Sequence, residues 1–301
     1  MSFDITILGS SSATPTLTRH PTAQYFCFGP RAFLIDCGEG TQMQLSRYKI
    51  RRSRINHIFI SHLHGDHYFG LPGLLTSLGL MNREHDLHLY APAALKQVLD
   101  LLFSISDTQL PFQLHFHALE DEGIIADDAK FSVECFKVYH RIECWGFIVR
   151  EKKKPRKINK DKIINYDIPV PFYERLKAGE DYTTETGEVI KSEDVTVPAP
   201  EPRSYAFCAD TIYDERIVEK LEDITLLYHE TTYLKDLEAR AASRFHSTTI
   251  QAAKIALLAH AKNLLVGHFS SKYETLDKFL VEASEIFPNT QLALEGCTYL
   301  L

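Results

Sequence analysis

The amino-acid sequence predicts an α/β fold, and three observations lead to that class. Short apolar segments typical of strands alternate with helical segments along much of the 301-residue chain. The composition, with 45% hydrophobic and 24% charged residues, is that of an ordinary globular protein. A cluster of three histidines and one aspartate stands at the carboxyl end of one apolar strand. The length allows one large domain or two small ones.

The first third of the chain contains the elements that place this cluster. Residues 3–9 alternate and are rich in β-forming residues, which predicts a strand entering a Gly/Ser turn. The following predicted elements are a hairpin of residues 24–28 and 32–36, a helix at 41–47, a strand at 55–61, a helix at 71–80 and a strand at 87–91. The strand at 55–61 leads directly into the histidine cluster.

The rest of the chain is predicted to contain mainly strands, an insertion and a return to the α/β pattern. No element is assigned to residues 92–112. The predicted strands lie at 113–117, 130–139, 144–150, 204–209, 226–230 and 263–267, and the predicted helices at 248–260 and 275–286. We therefore expect one domain over residues 1–301.

Residues 151–203 differ in composition from their surroundings. They contain runs of charged residues and two proline-rich stretches, at 169–171 and 198–202. This pattern predicts an inserted arm that projects from the domain, with a short helix near 171–177.

The charge of the chain argues against binding of nucleic acid over the whole surface but allows binding through local basic clusters. The net charge of −7 argues against a protein that binds nucleic acid over its whole surface. Local basic clusters can still attract a polyanion, although each is equally explained as a solvated face. The two clusters are Arg47, Lys49, Arg51, Arg52 and Arg54, and Lys152, Lys153, Lys154, Arg156, Lys157, Lys160 and Lys162.

Cysteine usage and hydropathy indicate a cytoplasmic protein. The six cysteines include no C-x-x-C pair, so we expect buried thiols rather than disulfides or a cysteine zinc site. No apolar stretch approaches the roughly 18 residues that span a bilayer, and no membrane association is expected. The first residues lack the features of a signal peptide.

The histidine cluster has the spacing of a dinuclear metal site. Zinc prefers imidazole nitrogen and carboxylate oxygen, and a catalytic site leaves a position for water. In the H-x-H-x-D-H pattern, His62 and His64 point the same way and can bind one ion, while Asp66 and His67 face a second. Gly65 permits the sharp turn between them. The alternative is a purely structural histidine cluster.

Further ligands are needed, and three residues stand where predicted strands end: His140, Asp210 and His268. Each alone is more often a capped polar residue than a ligand, but three such positions together favour ligands. Asp210, the only acid among them, is the natural bridging carboxylate. Two metals roughly 3.5–4 Å apart can clamp an in-line displacement.

Longer motifs extend this pattern over nearly the whole chain. They are Leu8-Gly9-Ser10, Asp36-Cys37-Gly38-Glu39-Gly40-Thr41-Gln42, Gly70-Leu71-Pro72-Gly73-Leu74, Ala209-Asp210-Thr211, His229-Glu230-Thr231-Thr232, His246-Ser247-Thr248 and Gly267-His268-Phe269-Ser270. With the histidine motif they resemble ribonuclease Z, the family of transfer-RNA 3′-processing endonucleases within the metallo-β-lactamase superfamily. The arm lacks the family's Gly-Pro motif.

The resemblance implies a metallo-β-lactamase αββα sandwich, with two mixed sheets between helices and a substrate-binding arm. It implies a zinc-dependent endoribonuclease that removes the 3′ trailer from precursor tRNA by attack of a metal-bridging hydroxide. The tRNA would keep a 3′-hydroxyl and the trailer a 5′-phosphate. The implied ligands of two zinc ions per subunit are His62, His64 and His140 for one ion, Asp66, His67 and His268 for the other, and Asp210 for both.

The resemblance also implies catalytic roles and partners. Asp66 would accept a proton from the attacking water, and His246, oriented by Glu230, would protonate the leaving 3′ oxygen. The alternative for His246 is a polar residue at the start of a helix. Precursor tRNA and a second copy of the chain, in a homodimer, are the implied partners. The alternatives for function are a general zinc phosphodiesterase and a non-catalytic RNA-binding protein.

Overall fold

The structure is a computed structural model that describes residues 3–301. The described chain divides into two compact units. The first comprises residues 3–127, 133–149 and 203–301, and the second comprises residues 128–132 and 150–202.

The strands of the described residues, numbered in chain order, are β1 (Phe3–Gly9), β2 (Ser11–Ser12), β3 (Ala23–Phe28), β4 (Arg31–Ile35), β5 (Ile55–Phe59), β6 (Leu87–Pro92), β7 (Leu114–Leu119), β8 (Gly123–Asp127), β9 (Phe131–Val138), β10 (Cys144–Glu151), β11 (Lys157–Ile158), β12 (Tyr182–Thr183), β13 (Val189–Ile190), β14 (Thr196–Val197), β15 (Ser204–Cys208), β16 (Leu226–Glu230), β17 (Leu264–Gly267), β18 (Phe269–Ser270), β19 (Thr290–Leu292) and β20 (Thr298–Leu300).

The α-helices, numbered in the same way, are α1 (Thr41–Arg47), α2 (Gly65–Tyr68), α3 (Leu71–Leu80), α4 (Ala94–Ile105), α5 (Lys160–Ile163), α6 (Tyr173–Ala178), α7 (Ser192–Val195), α8 (Glu238–Arg244), α9 (Thr249–Leu258) and α10 (Asp277–Ile286).

Two seven-stranded mixed sheets form the centre of the first unit. One has the order β20-β1-β3-β4-β5-β6-β7 and the other the order β19-β17-β16-β15-β10-β9-β8. Antiparallel pairs occur at β1–β3 and β3–β4, while β4 to β7 are parallel. In the second sheet β15, β16, β17 and β19 are parallel, so their carboxyl ends meet at the same edge.

The two sheets pack face to face through aromatic side chains. The ring centroids of Phe26 and Tyr205 lie 5.9 Å apart, and those of Phe59 and Phe147 lie 5.4 Å apart. Side chains alternate along a strand, so Ile58, next to Phe59, joins the leucine core on the opposite face. The first sheet is therefore buried on both faces at β5.

Helices cover the outer faces of both sheets. The leucines of α1, α3 and α4 pack with strand residues in one apolar cluster, and α9 and α10 pack against strands of the second sheet. In α3 the buried residues are Leu71, Leu74, Leu75 and Leu78, which is the spacing of one helical face. The predicted αββα arrangement is confirmed.

The prediction missed several elements. Helix α4 lies in the unassigned residues 92–112, and α8, β8, β19 and β20 were not expected either. In α4 only Leu95 and Leu99 are buried, while other apolar residues such as Leu101 and Ile105 are exposed. The polar residues Lys96, Gln97, Asp100 and Ser104 follow the helical period, so the sequence did contain the pattern of this helix.

The second unit has its own small core. Five buried residues, Ile163, Ile168, Leu176, Ile190 and Val195, form it. Two two-stranded sheets, β11–β14 and β12–β13, accompany helices α5 to α7. The short helix predicted at 171–177 is found as α6 over Tyr173–Ala178.

Among residues 3–301, no helix combines the length and the apolar character needed to cross a membrane.

Candidate metal centre

The histidine motif follows β5 and runs into the short helix α2. His62 and His64 stand in the extended segment, and Asp66 and His67 lie in the first turn of the helix. The ring centroids of His62 and His67 lie 4.0 Å apart, so the two pairs of side chains are adjacent. His62 and His67 are fully buried.

The other predicted residues also lie at the ends of strands. His140 follows β9, Asp210 follows β15 and His268 follows β17, while Glu230 is the last residue of β16. Because β15, β16 and β17 are parallel neighbours, they bring their terminal residues to one edge of the sheet. His246 lies between α8 and α9.

Three histidines and one oxygen of Asp210 form the first group of candidate ligands. Nδ1 of His64 lies 3.0 Å from Nε2 of His62 and 3.1 Å from Nε2 of His140. Oδ2 of Asp210 lies 3.7 Å from the His62 nitrogen and 4.0 Å from the His140 nitrogen. Four ligand atoms thus surround one point.

The other oxygen of Asp210 faces a second group. Its Oδ1 lies 3.2 Å from Nε2 of His268 and 3.5 Å from Nε2 of His67. Oδ2 of Asp66 lies 3.4 Å and 3.5 Å from the same two nitrogens. Asp210 thus has one oxygen toward each group, which is the position of a bridging carboxylate.

Hydrogen bonds around Asp36 set the tautomers of two histidines. Nδ1 of His67 donates to Oδ2 of Asp36 at 2.7 Å, so in the neutral ring Nε2 is the acceptor. Ser61 Oγ donates to the same carboxylate at 2.8 Å, so it accepts from Nδ1 of His62 at 3.0 Å. Both rings therefore direct an Nε2 lone pair into the site.

The same logic applies to the other two rings. Nδ1 of His140 donates to the carbonyl oxygen of Phe245 at 2.8 Å. The hydroxyl of Thr232 donates to Oε2 of Glu230 at 2.8 Å and therefore accepts from Nδ1 of His268 at 2.9 Å. His140 and His268 thus also present Nε2 lone pairs, in the manner of metal-ligating histidines held by outer hydrogen bonds.

These donors fit a pair of cations. Convergent lone pairs at 3.0–3.3 Å repel one another unless a cation lies between them. Burial and the neighbouring His140 lower the pKa of His64 to about 4, so its ring is neutral at pH 7. Oδ1 of Asp210 is buried and accepts no hydrogen bond from the described residues. Imidazole and carboxylate ligands suit zinc.

His246 and Glu230 form a buried pair beside this centre. Nδ1 of His246 donates to Oε1 of Glu230 at 3.0 Å. That carboxylate also accepts from the backbone nitrogens of Ser247 and Thr232, so its position is fixed. Burial opposes protonation of His246, but the charge of Glu230 raises its pKa to about 9.

A cavity of about 410 Å³ opens over the site. Asp66, Asp210 and His246 line it, together with residues of the loop before β3. In that loop the backbone nitrogen of Ala13 donates to Oδ2 of Asp66 at 2.7 Å. A substrate in the cavity would contact both ligand groups and the His246–Glu230 pair.

Sequence reasoning gave no role to Asp36, Ser61 and Thr232, which hold the histidine rings. Asp36 could have been found, because it ends an apolar strand as Asp210 does. Ser61 and Thr232 carry no such signal. The first basic cluster is partly structural, since the guanidinium of Arg54 donates to the carbonyl of Gly29 at 2.7 Å.

The fold and the ligand cluster define a class of protein. The metallo-β-lactamase fold protein YhfI of Bacillus subtilis superposes with a TM-score of 0.71 over 99% of each chain, at 17% identity. This similarity shows the fold. A family model described as anti-Pycsar protein Apyc1 matches residues 3–152. The chain thus has the metallo-β-lactamase fold, with a His/Asp cluster suited to metal ions.

Closer relatives identify the family. A ribonuclease Z of Bacteroides thetaiotaomicron is 44% identical over 296 residues, which are 98% of this chain and 94% of the relative. The crystal structure of the short form of human tRNase Z has a TM-score of 0.71 and 26% identity and covers 98% of each chain. The chain belongs to the ribonuclease Z family. The predicted family, fold and enzyme class, an endoribonuclease, are confirmed.

Proposed function

We propose that the protein is a zinc-dependent endonuclease that removes the 3′ trailer from precursor tRNA. The observation that carries this proposal is the pair of ligand groups joined by Asp210 beside the His246–Glu230 pair, in a chain of the ribonuclease Z family. Hydrolysis would leave a 3′-hydroxyl on the tRNA and a 5′-phosphate on the trailer.

We assign two zinc ions to the two ligand groups. His62, His64 and His140 would hold one ion, Asp66, His67 and His268 the other, and Asp210 both. Bound zinc supplies Lewis-acid chemistry, activating water and stabilising the charge that develops on the phosphate.

The residues of the chain would move two protons. Asp66, anchored by the Ala13 backbone, accepts the proton of the attacking water as the new P–O bond forms. His246 donates a proton to the 3′ oxygen as the P–O3′ bond breaks, because an expelled alkoxide needs a proton. Glu230 accepts from Nδ1 of His246 and so leaves Nε2 for this transfer.

We expect Thr232→Val to weaken zinc binding. Valine keeps the shape of threonine but cannot accept from Nδ1 of His268, so this ligand loses its fixed tautomer. Loss of such an outer hydrogen bond lowers metal affinity about 10- to 100-fold. Competition with a chromogenic chelator measures the affinity without any activity assay.

Two variants make this test specific. Thr232→Ser keeps the hydroxyl and should restore zinc affinity. The hydroxyl of the neighbouring Thr231 instead donates to the carbonyl of Gly267, so Thr231→Val should alter stability but not zinc affinity. Equal zinc affinities in Thr232→Val and wild type would refute the positioning role of Thr232.

We propose that the second unit is an arm that binds the substrate. Its concave surface, with a volume of about 810 Å³, combines basic and apolar side chains. The basic residues are Lys154, Arg156, Lys157, Lys160 and Lys177. Lysine and arginine on such a surface suit phosphate groups of folded RNA, and binding through phosphates is salt-dependent.

Deletion of residues 155–200 should weaken binding of tRNA and leave hydrolysis of a small diester intact. The deletion removes the whole core of the second unit and none of the proposed metal ligands. The slope of log affinity against log salt concentration should become shallower by about 1 for each phosphate group that the deleted residues neutralise. Titration of labelled tRNA at several salt concentrations measures this. An unchanged slope would contradict the assignment.

We further propose a homodimer that acts in the cytoplasm. The family resemblance supports the dimer. The presence of all six cysteines as free thiols is consistent with a reducing compartment.

A paired assay tests the proposed function. Zinc-loaded protein should cleave a trailer-bearing tRNA transcript once, at the junction with the trailer. Hydrolysis of a small chromogenic diester without transcript cleavage would favour the general phosphodiesterase. Zinc content below about one ion per chain after gentle purification would favour the non-catalytic RNA-binding protein.

A further inference from the structure

The cavity over the ligand cluster has an aromatic wall that the metal chemistry does not use. Phe69 follows helix α2 and lines the cavity with His64 and Asp66. Its side chain is 63% exposed, whereas most large apolar side chains of this unit are buried. The ring is therefore accessible at the wall of the cavity.

The local backbone holds the ring in this position. Gly65 lies directly under it, and a Cβ atom at residue 65 would overlap three carbons of the Phe69 ring. The ring of Tyr68 meets Phe69 edge-on, with centroids 5.0 Å apart. The absence of a side chain at Gly65 therefore lets an aromatic ring lie against the metal-binding loop itself.

A positively charged side chain, that of Arg141, lines the same cavity. Arg141 is exposed, and its Nη2 lies 3.3 Å from Nε2 of His64. His64 directs Nδ1 to the proposed metal, so its Nε2 carries the proton and cannot accept from a guanidinium. The two groups are then both donors, and the guanidinium is available for an anion in the cavity.

We propose that Phe69 and Arg141 form a nucleotide subsite beside the scissile phosphate. Phe69 stacks on an unpaired base that flanks the cleaved bond, and Arg141 binds an adjacent phosphate. Proteins recognise single-stranded RNA by stacking bases on aromatic rings and by cationic contacts to the backbone. The end of a precursor tRNA at the trailer junction offers both groups. This inference rests on the proposed function and adds what positions the strand.

The first test removes the ring and the base separately. Phe69→Leu keeps an apolar side chain but loses the stacking surface, so kcat/KM for a trailer-bearing transcript should fall about 5- to 100-fold. Phe69→Tyr should restore it. Transcripts with an abasic nucleotide on the 5′ or the 3′ side of the cleaved bond show which base is involved. On the transcript that lacks the stacked base, Phe69→Leu should have little further effect.

A binding measurement accompanies the kinetics. Transcripts with 2-aminopurine at the same two positions are bound to Asp66→Ala protein, which is expected to hold RNA without cleaving it. Stacking on Phe69 quenches the fluorescence of one of them, and the Phe69→Leu, Asp66→Ala protein should restore it. Leu80→Ala serves as the control for loss of an exposed apolar side chain elsewhere, because Leu80 lies at the end of α3 outside the cavity.

Arg141 has a separate readout. Arg141→Gln should make the slope of log affinity against log salt concentration shallower by about 1. The subsite would be overturned by two results together: equal losses of kcat/KM from Phe69→Leu on intact and abasic transcripts, and an unchanged salt slope for Arg141→Gln. Cleavage by wild type would still uphold the proposed function in that case. Failure of wild type to cleave any transcript would instead overturn the proposed function and the subsite with it.

Discussion

Asp66→Ala should abolish cleavage of precursor tRNA and leave tRNA binding largely intact. The substitution removes a carboxylate oxygen that lies 3.4–3.5 Å from the ring nitrogens of His67 and His268, and it removes the proposed proton acceptor. A loss of about 10⁴-fold in kcat is expected, at the upper end of acid–base effects, because one ligand group is broken as well. Single-turnover cleavage and tRNA titration measure the two properties.

Asp100→Ala is the matched control for the loss of an aspartate. Asp100 lies on α4, where it is exposed and paired with Lys96 at i,i+4, so its removal should change neither property. Cleavage by Asp66→Ala within tenfold of wild type would refute the role of Asp66. Loss of tRNA binding alone, with the chemical step intact, would contradict the assignment of catalysis to the metal centre and of tRNA binding to the arm.

His246→Ala should lower cleavage of RNA about 10²- to 10⁴-fold and spare hydrolysis of a p-nitrophenyl diester. The leaving 3′ oxygen of RNA needs a proton, whereas p-nitrophenolate is stable without one. His246 lines the cavity and is not among the seven proposed ligands, so zinc content should stay unchanged. Parallel kcat measurements on both substrates give the ratio that distinguishes a proton donor from a structural residue.

Glu230→Gln should also lower the ratio of kcat on RNA to kcat on the p-nitrophenyl diester. The amide keeps the size of the side chain but weakens the interaction that aligns and charges His246. His85→Ala, at an exposed position, is the matched control for loss of an imidazole. Equal losses on RNA and on the p-nitrophenyl diester would exclude His246 as the donor to the leaving group.

The fold could be predicted where apolar residues keep a clear period. The bounds of α1, α3 and β1 match the predicted 41–47, 71–80 and 3–9, and in α3 four of the five leucines fall on one face. Helix α4 was missed although its polar residues at 96, 97, 100 and 104 share one face, so this pattern could have predicted it. Strand β8 was missed because none of its five residues is buried and it lies at a sheet edge.

The clustering of the candidate ligands was predictable from chemistry at strand ends. His140, Asp210 and His268 were named because each follows an apolar strand, and the parallel order of β15, β16 and β17 explains why two of them meet. The hydrogen bonds that set the tautomers were not predictable. The acceptor for His140 is the carbonyl of Phe245, a group that every residue carries and that only the tertiary fold brings into place.

The most direct test maps the product ends of a trailer-bearing precursor, with wild type and Asp66→Ala side by side. Wild type should yield one tRNA product with a 3′-hydroxyl and one intact trailer with a 5′-phosphate, and Asp66→Ala should yield neither. A ladder of products shortened from the 3′ end, or a trailer with a 5′-hydroxyl, would contradict a water-mediated endonuclease that protonates the 3′ oxygen.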